Sequence, residues 1–136
     1  MTLNAYLNFN GKCKEAFEFY QKSLNGKNLM TIPFSGSPMA SQVPPEAGDR
    51  IMHARMDVGD TVLMGSDGAG DCYKTPEGFA VSIGVDEPEE AERIFHALAE
   101  GASVRMPIQQ TFWALRFAML TDRYGTPWMI NCEAKK

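Results

Sequence analysis

Two strand–turn–strand patterns, half a chain apart, limit what this sequence can fold into more than any other feature. The later pattern runs from Thr111 to Asn131, where two strand-like runs flank Asp122-Arg123-Tyr124-Gly125, a polar turn that ends in glycine. The earlier pattern places residues 51–58 and 61–66 on either side of the turn Gly59-Asp60. Both patterns are typical of β-hairpins, so the sequence predicts a duplicated chain.

Two predicted helices support the duplication. The first spans about Lys12 to Leu24, and Asn25-Gly26 after it tolerates the left-handed conformation that ends helices. The second begins at Glu87-Pro88-Glu89-Glu90, where proline and carboxylates favour a helix start, and stops at Gly101. Each half of the chain is therefore predicted to run strand, helix, strand, hairpin.

Two such βαβββ halves resemble the vicinal-oxygen-chelate superfamily, also called the glyoxalase and bleomycin-resistance superfamily, and within it the PhnB-like branch. The resemblance covers nearly the whole chain. It rests on Tyr6-Leu7-Asn8-Phe9-Asn10-Gly11, Glu15-Ala16, Phe19-Tyr20, His53-Ala54, Leu63-Met64, Ser66-Asp67, Thr111-Phe112-Trp113, Thr121-Asp122, Tyr124-Gly125 and Trp128-Met129-Ile130-Asn131. The resemblance implies an α+β fold in which duplicated βαβββ modules, at about 1–70 and 76–136, form cupped mixed sheets with the helices outside, in a single domain.

Charge and hydropathy exclude several classes of partner, and the cysteine content indicates the redox environment. The net charge is −4 with no basic cluster beyond Lys135-Lys136, so no nucleic-acid partner is expected. No apolar run approaches the ~20 residues of a membrane span, and Met1-Thr2-Leu3-Asn4 lacks the features of a signal peptide. Cys13, Cys72 and Cys132 are odd in number and lack CxxC spacing, which favours reduced thiols. We expect a cytoplasmic protein without a membrane partner.

Alternation along the predicted strands of the first half assigns residues to faces. Leu3, Ala5, Leu7 and Phe9 form an apolar face, so Tyr6 and Asn8 are predicted to point away from the helix, into a cavity. In the strand of residues 51–58, His53 lies opposite the core-facing set; the alternative is a histidine hydrogen-bonded at a subunit contact or a strand edge. Ser66 and Asp67 are predicted at the rim of the cavity, and Asp67 and Asp71 as solvated turn residues, with ligand contacts as the alternative.

In the second half, the same alternation predicts small side chains on the cavity side of the strand of residues 78–85, with Phe79 packed under the helix. Trp128 is likewise predicted under the helix, and Met129 and Asn131 on the cavity side. Trp113 is a candidate wall of the cavity, with packing or a dimer contact as the alternative.

Residues 35–49 cannot continue a strand, because they contain three prolines, two glycines and three serines. We interpret them either as a lid over a ligand, led by Pro38-Met39-Ala40, or as a linker that crosses between the halves.

The resemblance also implies where metal ligands of the superfamily would lie: near Asn4 to Tyr6, at Met64, at Phe79 or Ala80, and at Met129. None of these is a good ligand for a divalent ion, since a thioether is a soft, weak donor. We therefore predict no metal and no other cofactor. The methionines either line a pocket for a partly apolar molecule or simply fill the cup.

Some members of this branch carry the name demethylubiquinone methyltransferase. A methyl donor of nucleoside type normally needs a glycine-rich turn between a strand and a helix, and no helix is predicted after Gly68-Ala69-Gly70. No other phosphate-binding, nucleophile-elbow or metalloprotease motif occurs in the sequence. The catalytic residues, if any exist, cannot be assigned from the sequence.

Three functions follow as hypotheses. The leading one is a homodimeric PhnB-like protein that binds a small organic ligand without a metal. The second is a metal-dependent lyase, isomerase or dioxygenase with ions held by His53, Asp67 or Asp122. The third, a structural or interaction protein, predicts a filled cup. For the first, the residues expected to line one cavity are Tyr6, Asn8, His53, Met64, Ser66, Trp113 and Met129.

Overall fold

The computed structural model describes residues 1–38, 40–42, 48–68 and 73–133. It divides into two compact units, Met1–Lys74 and Thr75–Lys136. Each unit contains one helix packed on one four-stranded sheet. Within the described residues, neither helix is long and apolar enough to cross a membrane.

The first unit is a βαβββ module. Its sheet has the order β1-β4-β3-β2, in which β1 and β4 are parallel and the other neighbours are antiparallel. A short 3-10 helix at Ala40–Gln42 lies between β2 and β3. The elements are β1 (Ala5–Phe9), α1 (Cys13–Leu24), β2 (Lys27–Pro33), β3 (Ile51–Val58) and β4 (Thr61–Asp67).

The second unit repeats this module, with the sheet order β5-β8-β7-β6 and the same pattern of parallel and antiparallel neighbours. Its elements are β5 (Val81–Gly84), α2 (Pro88–Ala99), β6 (Ser103–Gln109), β7 (Ala114–Thr121) and β8 (Pro127–Glu133). The α+β fold with duplicated βαβββ modules, which the sequence predicts, is confirmed.

One face of the first sheet is covered by α1. The helix buries Phe17 and Tyr20 against Phe9, with ring centroids 5.9 to 6.4 Å apart. Gly65 permits this close packing, because a Cβ there would come within 2.8 Å of the Phe17 ring and 2.9 Å of the Leu7 carbonyl oxygen. Leu7, Phe9 and Gly65 therefore identify the side of the sheet that packs against α1.

The second sheet is covered by α2 in the same way. The helix buries an apolar stripe whose spacing matches the 3.6-residue period. Beneath it lie Leu120, Trp128 and Ile130, all less than 3% exposed. As predicted, α2 starts with a proline in its first turn and is followed by Gly101 at φ +74°.

Two apolar residues predicted to face the helices are instead exposed. Leu3 is 98% exposed, and Phe79 is 54% exposed. Each precedes the first backbone pair of its strand: β1 pairs with β4 from Ala5, and β5 pairs with β8 from Val81. Without a neighbouring strand to hold the backbone, the period-two pattern no longer assigns these side chains to a face.

Candidate functional site

The face of the first sheet that points away from α1 carries most of the predicted site residues. Residues paired across neighbouring strands point to the same side of a sheet. Tyr6 pairs with Met64 and Asn8 with Ser66, and all four alternate with residues buried against α1. His53 adjoins Ala54, which is buried on the helix side, and so shares their face. We call Tyr6, Asn8, His53, Met64 and Ser66 the N-terminal face.

A tyrosine–histidine pair spans the N-terminal face. The Tyr6 hydroxyl lies 3.1 Å from His53 Nδ1, and the two rings stack with centroids 5.7 Å apart and planes 30° from parallel. Tyr6 is 45% exposed. The pair bridges β1 and β3 across β4, and since β3 is an interior strand, His53 does not lie at a strand edge. A ligand on this face would meet both side chains in a defined orientation.

Asp67 was predicted at the rim and is instead buried, with 3% exposure. Its Oδ1 accepts hydrogen bonds from the backbone N–H groups of Gly11 and Cys13 at 2.8 and 3.0 Å, and its Oδ2 accepts one from Ile51 N–H at 2.9 Å. The prediction of a solvated turn residue was therefore wrong for Asp67. The carboxylate supplies the start of α1 with the acceptor that Lys12, its N-cap residue, does not provide. Asp71, for which the same prediction was made, lies outside the described residues.

The Asp67 carboxylate also affects the neighbouring thiol. Burial, together with the negative charge of Asp67, raises the pKa of Cys13 to about 12. A thiol that stays protonated at neutral pH is neither a nucleophile nor a good metal ligand. Cys13 and Cys132 are both buried and free, in line with the reduced thiols predicted from the sequence, whereas Cys72 lies outside the described residues.

Asp122 has a comparable structural role in the second unit. It is buried, and its Oδ1 accepts hydrogen bonds from the N–H groups of Tyr124 and Thr126 at 2.8 and 3.0 Å. Its Oδ2 accepts one from Trp128 Nε1 at 2.8 Å. The carboxylate thus closes the turn between β7 and β8 and fixes the position of the buried Trp128 indole.

The donor chemistry of the described residues does not fit a divalent ion. Both oxygens of Asp67 and of Asp122 already accept hydrogen bonds from within the chain. Among the described residues, no three His, Cys, Asp or Glu side chains come together as a possible metal site. The positions that the superfamily resemblance points to offer thioethers at Met64 and Met129, which bind such ions poorly.

The second sheet also has a face that points away from its helix. Met119 pairs with Met129, and Phe117 pairs with Asn131, in alternation with residues buried under α2. Asn131 Oδ1 is buried and has no hydrogen-bond partner among the described residues. A Cβ added at Gly84, the neighbour of Asn131 on β5, would meet nothing within 4 Å. We call Gly84, Phe117, Met119, Met129 and Asn131 the C-terminal face.

A pocket of about 290 Å³ lies in the second unit, at the end of the sheet where β5 and β8 begin. One of the seven predicted site residues, Met129, lines it. Sequence reasoning missed Arg105 and Met119 as pocket residues, and it placed Phe79 under the helix. The lining residues are Gly78, Phe79, Ala80, Arg105, Met119, Leu120, Pro127, Trp128 and Met129.

Trp113, predicted as a cavity wall, is not among the residues that line this pocket. It precedes β7, is 45% exposed, and packs edge-on against Phe112 and Phe117 with ring centroids 4.8 and 5.3 Å away. The contact with Phe117 places it beside the C-terminal face.

A second pocket, of about 280 Å³, lies in the first unit and includes Asn8. Its other lining residues are Phe9, Gly68, Tyr73 and Lys74. Asn8 thus belongs both to the lining of this pocket and to the N-terminal face. Of the segment 35–49, predicted as a lid or a linker, Met39 and residues 43–47 lie outside the described residues, and the choice stays a prediction.

Comparison with known proteins finds relatives that match this chain over nearly all of its length. The sequence matches the family described as 3-demethylubiquinone-9 3-methyltransferase over residues 2–131. It is 33% identical over 139 residues to Protein YjdN of Escherichia coli K12, covering 96% of this chain and 95% of YjdN. The crystal structure of protein PA1353 from Pseudomonas aeruginosa matches with a TM-score of 0.89 at 47% identity, over 99% of both chains.

More distant structures share the fold. A PhnB protein from Bacillus cereus matches with a TM-score of 0.75 at 20% identity, over 97% of this chain and 99% of that one. A glyoxalase/bleomycin resistance protein/dioxygenase family enzyme from Burkholderia phytofirmans matches with a TM-score of 0.64 at 16% identity, over 96% and 97% of the two chains.

Proposed function

The chain belongs to the family described as 3-demethylubiquinone-9 3-methyltransferase, in the PhnB-like branch of the glyoxalase superfamily, and we propose that it binds a small, partly apolar organic molecule on the sheet faces that point away from its helices, without a metal ion. The observation that carries the proposal is the pocket of about 290 Å³ beside Met119 and Met129. Its volume is just below the range of ligand pockets, roughly 300–1,000 Å³, and its lining is mostly apolar, as in such pockets generally.

The C-terminal face supports the proposal in a second way. A buried carbonyl oxygen without a partner, such as Asn131 Oδ1, costs about 1–3 kcal/mol. Because this oxygen has almost no exposed surface, a ligand that donates a hydrogen bond to it would recover part of that cost only once the Asn131 side chain rotates toward the space above Gly84. The open space above Gly84 leaves room for such a ligand next to Asn131.

The N-terminal face carries side chains that can form directional hydrogen bonds with a ligand. Tyr6 and His53 are held together by their hydrogen bond, and Asn8 and Ser66 are neighbours across β1 and β4. Hydroxyl, amide and imidazole groups can each donate or accept a hydrogen bond. This face can therefore orient a polar group of a ligand, while Met64 contacts the apolar part of the same ligand. That these residues share one cavity with Trp113 and Met129 stays a prediction.

Two enzymatic alternatives have less support. A metal-dependent lyase, isomerase or dioxygenase would need ligands at His53, Asp67 or Asp122, and both carboxylates are buried and already accept hydrogen bonds on each oxygen from within the chain. Methyl transfer, which the family's name implies, would need a donor site. From Tyr73 to Ala80 the described residues form no helix, so the strand–glycine turn–helix arrangement that binds nucleoside-type donors is missing there.

A homodimer in the cytoplasm is part of the proposal. The edge strands β1 and β5 are regular, whereas β2 and β6 are interrupted by irregularities in their pairing. Regular edge strands present unpaired backbone groups that a second copy of the chain could cover.

Filling the C-terminal face tests the proposal. Gly84→Leu adds a side chain into open space at a residue whose backbone does not require glycine, so stability should change by no more than about 0.5 kcal/mol. We expect the wild-type protein to bind N-phenyl-1-naphthylamine, a neutral fluorescent apolar probe, and Gly84→Leu to weaken this binding at least about fivefold, or about 1 kcal/mol. Fluorescence titration measures the affinity.

Lys14→Leu is the matched control, because it adds the same side chain on the exposed face of α1. It should bind the probe like the wild type. Equal affinity of Gly84→Leu and the wild type would count against a ligand on the C-terminal face, and so would an absence of binding to either protein.

A further inference from the structure

Among the described residues that line the pocket of the second unit, one is charged. Eight of these nine residues are glycine, alanine, proline, methionine, leucine or aromatic, and the ninth is Arg105. None of the described residues that line the pocket carries a carboxylate, so nothing in this described lining neutralises the guanidinium or repels an anion. A cation beside an apolar cavity favours ligands that combine an apolar body with a negative charge.

Arg105 also differs from the other arginines of its unit. Arg93, Arg116 and Arg123 each lie within 4.0 Å of a glutamate carboxylate. Arg105 is exposed and has no hydrogen-bond or ion-pair partner among the described residues. Its five N–H donors are therefore available to a ligand.

The pairing of β6 explains why Arg105 lies at the pocket. Val104 pairs with Leu120, and Met106 pairs with Met119, so Arg105 is an extra residue on β6 that opposes no residue of its own on β7. A bulge of this kind bends the strand and redirects a side chain, and bulges are common next to binding sites. Met119 and Leu120, which face this bulge, line the same pocket as Arg105.

From these observations we infer that the pocket takes an apolar organic anion, whose carboxylate or similar planar acidic group binds Arg105 and whose hydrophobic body packs against Phe79, Met119 and Met129. The inference rests on the proposed function and narrows its ligand to one chemical class. A guanidinium binds a carboxylate through two parallel hydrogen bonds, and an ion pair next to apolar surface is stronger than one in open water. Phe79, which is exposed in the free protein, would then be partly covered.

A pair of isosteric probes tests the inference: 2-naphthoate, which carries a negative charge, and 2-naphthamide, which is neutral. For the wild-type protein at low salt, isothermal titration calorimetry should give a dissociation constant at least about tenfold lower for 2-naphthoate. In Arg105→Gln the two constants should agree within about twofold, because the amide side chain has no charge. Arg105→Lys should keep part of the preference, since lysine retains the charge without the planar fork.

Arg93→Gln is the matched control, because it removes one positive charge from the surface of α2, outside the lining of the pocket. It should keep the full preference for 2-naphthoate, and thermal unfolding checks that every variant is folded. Equal affinity of the wild type for both naphthyl probes, or an unchanged preference in Arg105→Gln, would overturn the inference but leave the proposed function intact. If neither naphthyl probe nor N-phenyl-1-naphthylamine binds the wild type, the proposed function fails together with the inference.

Discussion

Asp122→Ala is expected to lower the free energy of unfolding by about 3–4 kcal/mol, which is a large part of the stability of a small domain. The substitution leaves the backbone N–H groups of Tyr124 and Thr126 and the indole N–H of Trp128 without their buried acceptor. Each unsatisfied buried donor costs about 1–3 kcal/mol, and water entering the gap would recover part of this. Urea unfolding followed by circular dichroism measures the loss.

Asp86→Ala serves as the control for Asp122, because Asp86 is an exposed aspartate of the same unit, and its change in stability should stay within about 0.5 kcal/mol. Asp122→Asn should lose less than Asp122→Ala, since the amide keeps one acceptor oxygen. The metal-enzyme alternative predicts the opposite pattern: Asp122→Ala would lose bound metal while its unfolding midpoint stayed close to that of the wild type.

Asp67→Ala is expected to cost a similar amount, about 3–4 kcal/mol, because it removes the buried acceptor for Gly11, Cys13 and Ile51. These N–H groups belong to the turn before α1, the first turn of the helix and the start of β3. Hydrogen exchange measured by NMR should show the largest loss of protection at these three amides.

Asp60→Ala, at the exposed turn between β3 and β4, is the matched control for Asp67 and should leave both stability and amide protection close to the wild-type values. Asp67→Ala with wild-type stability would mean that its hydrogen bonds are replaced by water at little cost, and the structural role assigned to this carboxylate would be wrong.

Hydrophobic periodicity predicted most of the fold because both helices and most strands of this chain have one apolar side. The predicted bounds of β3, Ile51–Val58, match those in the structure, and α1 differs by one residue at its start. Periodicity was insufficient at strand ends. Leu3 and Phe79 continue the apolar alternation, yet they lie before the first backbone pair, and only the pairing decides where a strand begins.

The buried carboxylates could not be predicted from local sequence. Asp67 precedes glycine in a polar stretch, which indicates a solvated turn, but its hydrogen-bond partners lie 16 to 56 residues away in the chain. Long-range acceptors of this kind leave no periodic signal. The sequence did favour one face for Tyr6 and His53, because a period of two fixes the face as soon as one buried neighbour is known.

Arg105 was missed because its position depends on a bulge. The sequence of β6 contains Pro107, which is a signal for an irregular edge strand but does not show which side chain an irregularity redirects. Trp113 was assigned to the cavity from its size and its place in the motif. The structure shows its contact with Phe117 but no contact with the described pocket.

The central claim is that ligand binding by this protein needs no metal, and calorimetry on metal-depleted protein tests it most directly. Protein dialysed against EDTA, then against metal-free buffer, is titrated with 2-naphthoate and N-phenyl-1-naphthylamine, alone and after addition of one equivalent of Zn²⁺, Ni²⁺, Mn²⁺ or Fe²⁺. We predict that both probes bind the depleted protein and that no metal changes either affinity by more than about twofold. Binding that appears only after a metal is added would contradict the account.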